Sequence, residues 1–283
     1  MLEEILIVSV AVIGLIIATI VDIKHREVPD YLNYFLIISG LSFRLFYASF
    51  YSSWNYFLYG LLGLGAGAVI GLSLYFAKQW GGGDAKLLMA LGVIFATKPF
   101  FVKGDGVFLL GLIFNIFIAG ALYGLVYGIY LAAKNKNEFA REFKRLLEQK
   151  NIRFIRNFSF ITSIILLLLF VYANDFLTKI FLGFFIIFLL LYIYLWVFAK
   201  SVENACMYRI IPVGRLAEGD WVVEDVKIKG KTLYKKEKMT VTKKDVLIFM
   251  KEGVRRVKIK TGIPFVPSFL IGTLISLIWG SLV

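Results

Sequence analysis

Ile5-Leu6-Ile7-Val8-Ser9-Val10-Ala11-Val12-Ile13-Gly14-Leu15-Ile16-Ile17-Ala18-Thr19-Ile20-Val21-Asp22 is an apolar run of eighteen residues that ends on an acid. A helix of that length rises about 27 Å, close to the hydrocarbon thickness of a bilayer, so the stretch reads as a membrane-crossing helix. Glu3 and Glu4 precede it and no small-residue cleavage pattern follows, which predicts a retained helix rather than a removable signal peptide. Seven further apolar runs cover 31–50, 55–78, 84–98, 105–133, 158–174, 176–199 and 265–282. The predicted fold is an all-α polytopic membrane protein of about eight transmembrane helices, with a small α+β cytoplasmic domain before the last helix. A hydrophobic content of 59% and a mean hydropathy of +0.79 exclude an ordinary water-soluble globule.

The fourth run is short. Its apolar part stops near Lys98-Pro99, and about 14 residues rise only about 21 Å against a core of roughly 30 Å. It either begins inside the membrane at the glycines before it or continues past Pro99. Five segments follow from these spans: a catalytic membrane domain over 1–133, a basic linker over 134–157, two spans over 158–200, a small cytoplasmic domain over 201–263, and the last span over 264–283.

The net charge of +13 raises the question of nucleic acid, and the placement of the charge answers it. With eight spans, 28 of the 32 Lys and Arg share one side: Lys24, Arg26, Lys78, Lys86, eight from Lys134 to Arg156, and sixteen from Lys200 to Lys260. Lys98, Lys103 and Lys179 fall on the other side, and Arg44 lies inside the second span, where it is expected to snorkel. The positive-inside rule puts the basic side in the cytoplasm and both termini outside. Membrane orientation and anionic headgroups account for the charge without nucleic acid. The linker, with Phe139, Phe143, Leu146 and Leu147 among Lys, Arg and Glu, reads either as a helix lying on such headgroups or as a solvated charged helix.

In the small domain, Trp221–Ile228 is a strand candidate, Gly230 marks a turn, and Thr232-Leu233-Tyr234 follows. Thr242 with Asp245 three residues later reads as a capping box starting a helix that reaches Glu252 and stops at Gly253, before a strand over 254–260. About 60 residues make a small core, so this domain is expected to lean on the membrane domain.

Chemistry centres on two acids at the ends of apolar helices. Asp22 closes the first run, and Asp84 sits in Gly81-Gly82-Gly83-Asp84-Ala85-Lys86 just before another. A carboxylate at the edge of hydrocarbon is costly, and the predicted topology puts both at the same depth on the cytoplasmic side. Two carboxyls sharing one proton can activate water and protonate a leaving amine, the chemistry of an aspartic protease. Helix dipoles predict that Asp84, at a helix start, holds the charge and Asp22, at a helix end, the proton. The glycines alone are a flexible turn; next to Asp84 they let the backbone turn sharply and a substrate strand approach closely. With a single cysteine, Cys206, and a single histidine, His25, no conventional zinc chemistry is expected and no cofactor or metal is called for. Lys86 either holds charge on Asp84 or binds headgroups, and Asn115 is expected to hydrogen-bond a neighbouring helix.

Gly81-x-Gly83-Asp84, extended by Ala85-Lys86, resembles the GxGD motif of membrane aspartic peptidases. Asp22-Ile23-Lys24-His25-Arg26-Glu27-Val28-Pro29-Asp30 resembles the first-aspartate segment of type IV prepilin peptidases, and Gly262-Ile263-Pro264-Phe265-Val266-Pro267 their Pro-Phe-x-Pro element. Lacking a cysteine-rich N-terminal segment and carrying a late cytoplasmic domain, the chain is similar to the archaeal preflagellin (prearchaellin) and prepilin peptidases, without methylation. The departure from their compact six-span form is the pair of spans over 158–199. The resemblance implies that Asp22 and Asp84 cleave class III signal peptides, a basic leader followed by an apolar helix, from archaellin-like or pilin-like precursors at the cytoplasmic face. Gly81, Gly83, Lys86, Glu27, Asp30, Pro264 and Pro267 are then supporting or substrate-binding residues, with Glu27 and Asp30 facing the leader's positive charge and the prolines walling a cleft.

Two other readings compete. A presenilin-like intramembrane GxGD protease would hold its acids deeper, in a Tyr-Asp context and with a Pro-Ala-Leu element; here Asp22 follows Val21 and borders Lys24 and Arg26. A transporter using carboxylates for cations or protons would show an inverted repeat or matched broken spans, and neither is visible.

Overall fold

The computed structural model describes residues 2–102, 107–216, 218–228, 231–236, 238 and 240–280. Lys103, the predicted turn at Gly230 and the outer end of the last run lie outside the described residues. The chain divides into two compact units, one built from 1–126 and 262–283 and the other from 127–261.

The first unit holds α1 (Leu2–His25), α2 (Asp30–Tyr51), α3 (Trp54–Phe76), α4 (Gly82–Ile94), the first part of α5 (Phe108–Lys134) and α10 (Val266–Trp279). The apolar runs are helical because no proline interrupts their interiors (Pro267 sits in the first turn of α10, where its missing N–H costs nothing) and their side chains bury on one another or face outward as in lipid. Among the described residues, α1, α2, α3, α5, α7 (Lys150–Tyr172) and α8 (Phe176–Val202) are long and apolar enough to cross a membrane, which makes six candidate spans. At 13 and 14 residues, α4 and α10 rise only about 20 Å each, short of the hydrocarbon thickness.

The shortness of α4 has a visible cause. Its last carbonyls are taken by Arg44 from α2: Nε donates to Val93 O at 2.6 Å and Nη2 to Ile94 O at 3.1 Å. The same guanidinium donates to Tyr56 O at 2.8 Å and to Thr97 Oγ1 at 3.1 Å, and lies over the Tyr56 ring. Arg44 is therefore not snorkelling; it is 1% exposed and caps a helix end inside the bundle. Four orphan carbonyls close every helix, and in an apolar surrounding they need donors from elsewhere.

Glycine brings α3 and α4 together. A Cβ on Gly63 would stand 2.0 Å from Gly92 O, on Gly67 2.7 Å from Leu88 O, and on Gly71 2.9 Å from Ala85 O. One turn earlier, Gly60 makes room for Arg44, whose Cδ would lie 2.4 Å from a Cβ there. The seam is the small-residue packing that membrane helices use where side chains would hold backbones apart. In the same unit, Asn115 on α5 donates to Ser276 Oγ at 2.8 Å and Gly280 O at 3.1 Å beside α10, the interhelical bond expected of it.

The second unit contains the end of α5, α6 (Lys136–Leu147), α7, α8, a π-helical turn (Glu203–Met207) and a small α+β part. The predicted linker is helical only to Leu147, and α7 begins at Lys150 instead of 158, since no breaker separates the basic segment from the apolar run. The apolar face of α6 is covered by protein rather than headgroups: Phe143, Leu146 and Leu147 cluster with Ile152, Ile193 and Val197, and Phe139 meets Phe198 edge-on.

Strands β1 (Tyr208–Pro212), β2 (Trp221–Val222) and β5 (Arg256–Lys260) form an antiparallel sheet in the order β1-β5-β2, and β3 (Val226–Ile228) pairs with β4 (Lys231–Tyr234). The strand expected over 221–228 is thus two short strands in different sheets, and β1 had no signal strong enough to be read in advance. Helix α9 (Lys243–Lys251) starts at the expected box: Thr242 N–H donates to Asp245 Oδ2 at 2.8 Å while Thr242 Oγ1 accepts from Asp245 N–H at 3.4 Å. Gly253, at φ +78°, ends the turn after it.

Gly63→Ala is expected to cost about 1–3 kcal/mol by forcing α3 and α4 apart, whereas Gly65→Ala, which meets nothing within 4 Å, is neutral or stabilising. Thermal unfolding of the two variants in detergent checks this. Burial pushes the Asp245 carboxyl up, but bonds from Lys238 and Thr242 outweigh it and hold the group below the usual carboxylate range. A depressed folded value stabilises above the ordinary Asp value of about 3.9 and is lost as pH falls through the folded value. Protection of α9 amides in the full chain, measured relative to the intrinsic exchange rate at each pH, should therefore fall below about pH 4, and Asp245→Asn should flatten that acid limb.

Candidate active site

Asp84 stands in the first turn of α4, and its Oδ2 accepts the backbone N–H of Gly81 at 3.0 Å. Glycine has no side-chain oxygen to return the bond, so this is one half of a capping box. Asp22 lies near the end of α1, 5% exposed, and its Oδ2 accepts the N–H of Val266 at 2.9 Å. Val266 is the first residue of α10, whose opening N–H groups have no partner within their own helix. Each acid thus satisfies an orphan donor at a helix start, and the two carboxyls lie within Coulombic reach of each other. The dipole argument that gave Asp84 the charge and Asp22 the proton loses its asymmetry, because Asp22 also faces a positive helix end.

Gly81, Gly82 and Gly83 do not use left-handed backbone; the positive-φ glycines among the described residues are Gly219, Gly253 and Gly280. What Gly83 needs is space: a Cβ there would lie 3.0 Å from Val28 Cβ and 3.2 Å from Val28 O. The absence of that atom lets the segment after Asp22 lie against the segment before Asp84. At Gly81 a Cβ would crowd Asp84 Oδ2 at 3.3 Å, while Gly82 has room, with Tyr75 no nearer than 3.8 Å.

Among the supporting residues, Lys86 pairs with Asp30 at 2.6 Å and lies over the Tyr34 ring. It meets Asp30 rather than Asp84 in the pairs seen here, and Asp30 is not an idle acid awaiting a partner. Glu27 is exposed on the turn after α1. Pro264 and Pro267 are buried at the start of α10, around the Val266 N–H that meets Asp22.

Three contributors were missed by sequence reading. Asn33 on α2, fully buried, donates to Gly83 O at 3.1 Å and so fixes the peptide before Asp84. It shares a helix face with Leu36, Gly40 and Arg44, a period that marks it as inward-facing. Arg26, at φ +61°, turns the chain after α1 and donates through Nη1 to Gly262 O, clasping the approach to α10. Trp80, just before the glycines, packs on Phe117, Phe265 and Phe269 with ring centroids 5.7, 5.5 and 5.3 Å away. No signal in the sequence distinguishes Arg26 or Trp80 from their many basic and aromatic neighbours.

Residues 9–129, which include both acids, match the family model described as the type IV leader peptidase family. The chain is 33% identical over 85 residues to the preflagellin peptidase of Methanocaldococcus jannaschii, an alignment covering 30% of this chain and 36% of that one. It is 29% identical over 85 residues to the preflagellin peptidase of Methanococcus maripaludis, with the same coverage of 30% and 36%. The match thus spans about a third of the length of these relatives. No solved structure matches.

Asn33→Ala removes the donor to a peptide packed inside the unit and should lower stability by about 1–3 kcal/mol. Gly83→Ala should also destabilise while Gly82→Ala does not, and thermal unfolding of the three variants in one detergent tests the ranking.

Proposed function

We propose, on the premise that residues 9–129 belong to the type IV leader peptidase family, that the chain is a membrane aspartic endopeptidase. Its substrates are precursors of the preflagellin or prepilin type, cut where a basic leader meets an apolar helix. The reading rests on one observation above the rest: two acids sixty-two positions apart stand in one compact unit, each oriented by a backbone N–H and each within the other's field.

The proposed chemistry needs one proton held between the pair. The ionised carboxylate takes a proton from water as the water oxygen attacks the scissile carbonyl carbon. The protonated carboxyl then gives its proton to the leaving nitrogen as the C–N bond breaks. The Val266 N–H, with the Phe265 N–H also acting on the same acid, orients Asp22, and the Gly81 N–H orients Asp84, for water and substrate.

In the proposed topology α4 and α10 complete eight spans by entering the bilayer as short helices inside the bundle. Alternate loops then sort 28 Lys and Arg to the cytoplasmic face with Asp22 and Asp84, and both termini lie outside. On that face the Lys86–Asp30 pair is positioned to exchange partners with a basic leader, with Glu27 close by in sequence. Pro264 and Pro267 stiffen the wall beside Asp22, and the basic loops meet anionic headgroups.

Asp22→Asn and Asp84→Asn keep an oxygen for the N–H each acid engages, so both variants should fold. Cleavage of a preflagellin-type precursor in detergent should fall by about 10²–10⁴-fold or more in each, with the melting temperature retained. Wild-type cleavage by either variant overturns the dyad, and scission within the apolar helix instead of at the leader boundary favours the presenilin-like reading.

A further inference from the structure

Two helices outside the candidate spans are amphipathic, and they differ in what covers them. The apolar face of α6 is packed on α7 and α8. On α9 the buried face carries Asp245 and Phe249, the latter against Tyr234. Its other face leaves Leu247 at 65%, Met250 at 51% and Ile248 at 42% exposure. A soluble helix ordinarily turns polar groups outward, and a cluster of large apolar side chains on nine residues calls for something to cover it.

The surroundings of that cluster say what. Leu247 has Lys243 one turn before it and Lys251 one turn after it, and Lys244 lies on the same exposed face. Lys243 makes only a loose exposed contact with Glu218, at 3.5 Å. Apolar centres ringed by long cationic side chains fit a bilayer surface: the apolar groups enter below the headgroups while the lysine stems reach back to phosphate. A protein groove would need acids opposite every lysine as well as an apolar pocket.

Attachment sets the depth. β1 follows α8 through the π-helical turn with no linker, and Glu203 in that turn accepts from Lys200 and Lys260 at 2.8 Å each and from Tyr208 at 3.2 Å. The first and last strands of the small domain are thereby pinned to the exit of a candidate span, so α9 works close to the plane where α8 leaves hydrocarbon.

We propose that the Leu247–Ile248–Met250 face of α9 docks on the membrane surface and prefers anionic headgroups, an inference resting on the multi-pass membrane reading and independent of peptidase activity. The test uses the full chain with a nitroxide on Leu247→Cys or Met250→Cys, in vesicles of phosphatidylcholine alone or mixed with phosphatidylglycerol. Cys206 is buried, and the unlabelled parent sets the background. Thr232→Cys, exposed on β4, supplies the aqueous reference and Leu191→Cys, exposed on α8, the hydrocarbon reference. In anionic vesicles the α9 labels should collide more with oxygen than with a water-soluble nickel chelate. That ratio should reverse in phosphatidylcholine alone and when Lys243→Glu, Lys244→Glu and Lys251→Glu are combined. Labels at 247 and 250 that match the Thr232 reference in both vesicles overturn the proposal. Spin–spin broadening that grows with protein density overturns it in favour of a second copy. An aqueous signal from Leu191 removes the membrane reading itself.

Discussion

A single buried guanidinium makes the rest of the first unit possible. Helix α4 ends after 13 residues, where its terminal carbonyls would otherwise face apolar surroundings, and each unmet buried acceptor costs about 1–3 kcal/mol. Arg44 meets Val93, Ile94 and Tyr56 carbonyls and the Thr97 hydroxyl with one rigid fork. Its own burial is tolerable because those acceptors and the Tyr56 face replace its hydration. Capped in this way, α4 can stop short, nest into the glycine seam of α3, and present its other end as the site of Asp84.

The two acids hold helix starts together. Asp84 closes the start of its own helix and Asp22 closes the start of a helix from the far end of the chain. Both bonds are charge-assisted when the carboxyl is ionised, and both survive in part when it is not, since a carboxyl keeps a carbonyl oxygen. Either acid can therefore change protonation state without losing the bond that anchors it. Gly83 contributes by what it lacks, because one methyl there would push the Asp22 segment away from the Asp84 segment.

Much of this was legible beforehand. The apolar runs are long relative to any helix period, so their secondary structure hardly depends on neighbours, and the Thr242–Asp245 box reads from two residues alone. Asp22 and Asp84 stood out because charge beside apolar sequence is expensive, whereas the Pro264–Pro267 segment stood out only through its resemblance to a family element. The contributions of Asn33, Arg44 and Arg26 were not legible, since each acts on a carbonyl whose chain position no pattern announces. The fate of the α6 face was misjudged for a related reason: amphipathicity says that a face will be covered, and does not say by what. The strands of the small domain are two to five residues long, too short for alternation to register.

The bond from Val266 to Asp22 spans 244 positions, and the Arg26 clasp on Gly262 spans 236. Everything from 127 to 261 is interposed between the two parts of the unit that these contacts close. A ribosome delivers α1 early and α10 late, so Asp22 is without the Val266 N–H while the residues of the second unit emerge. The order of synthesis thus leaves both long-range contacts to the arrival of the segment that leads into α10.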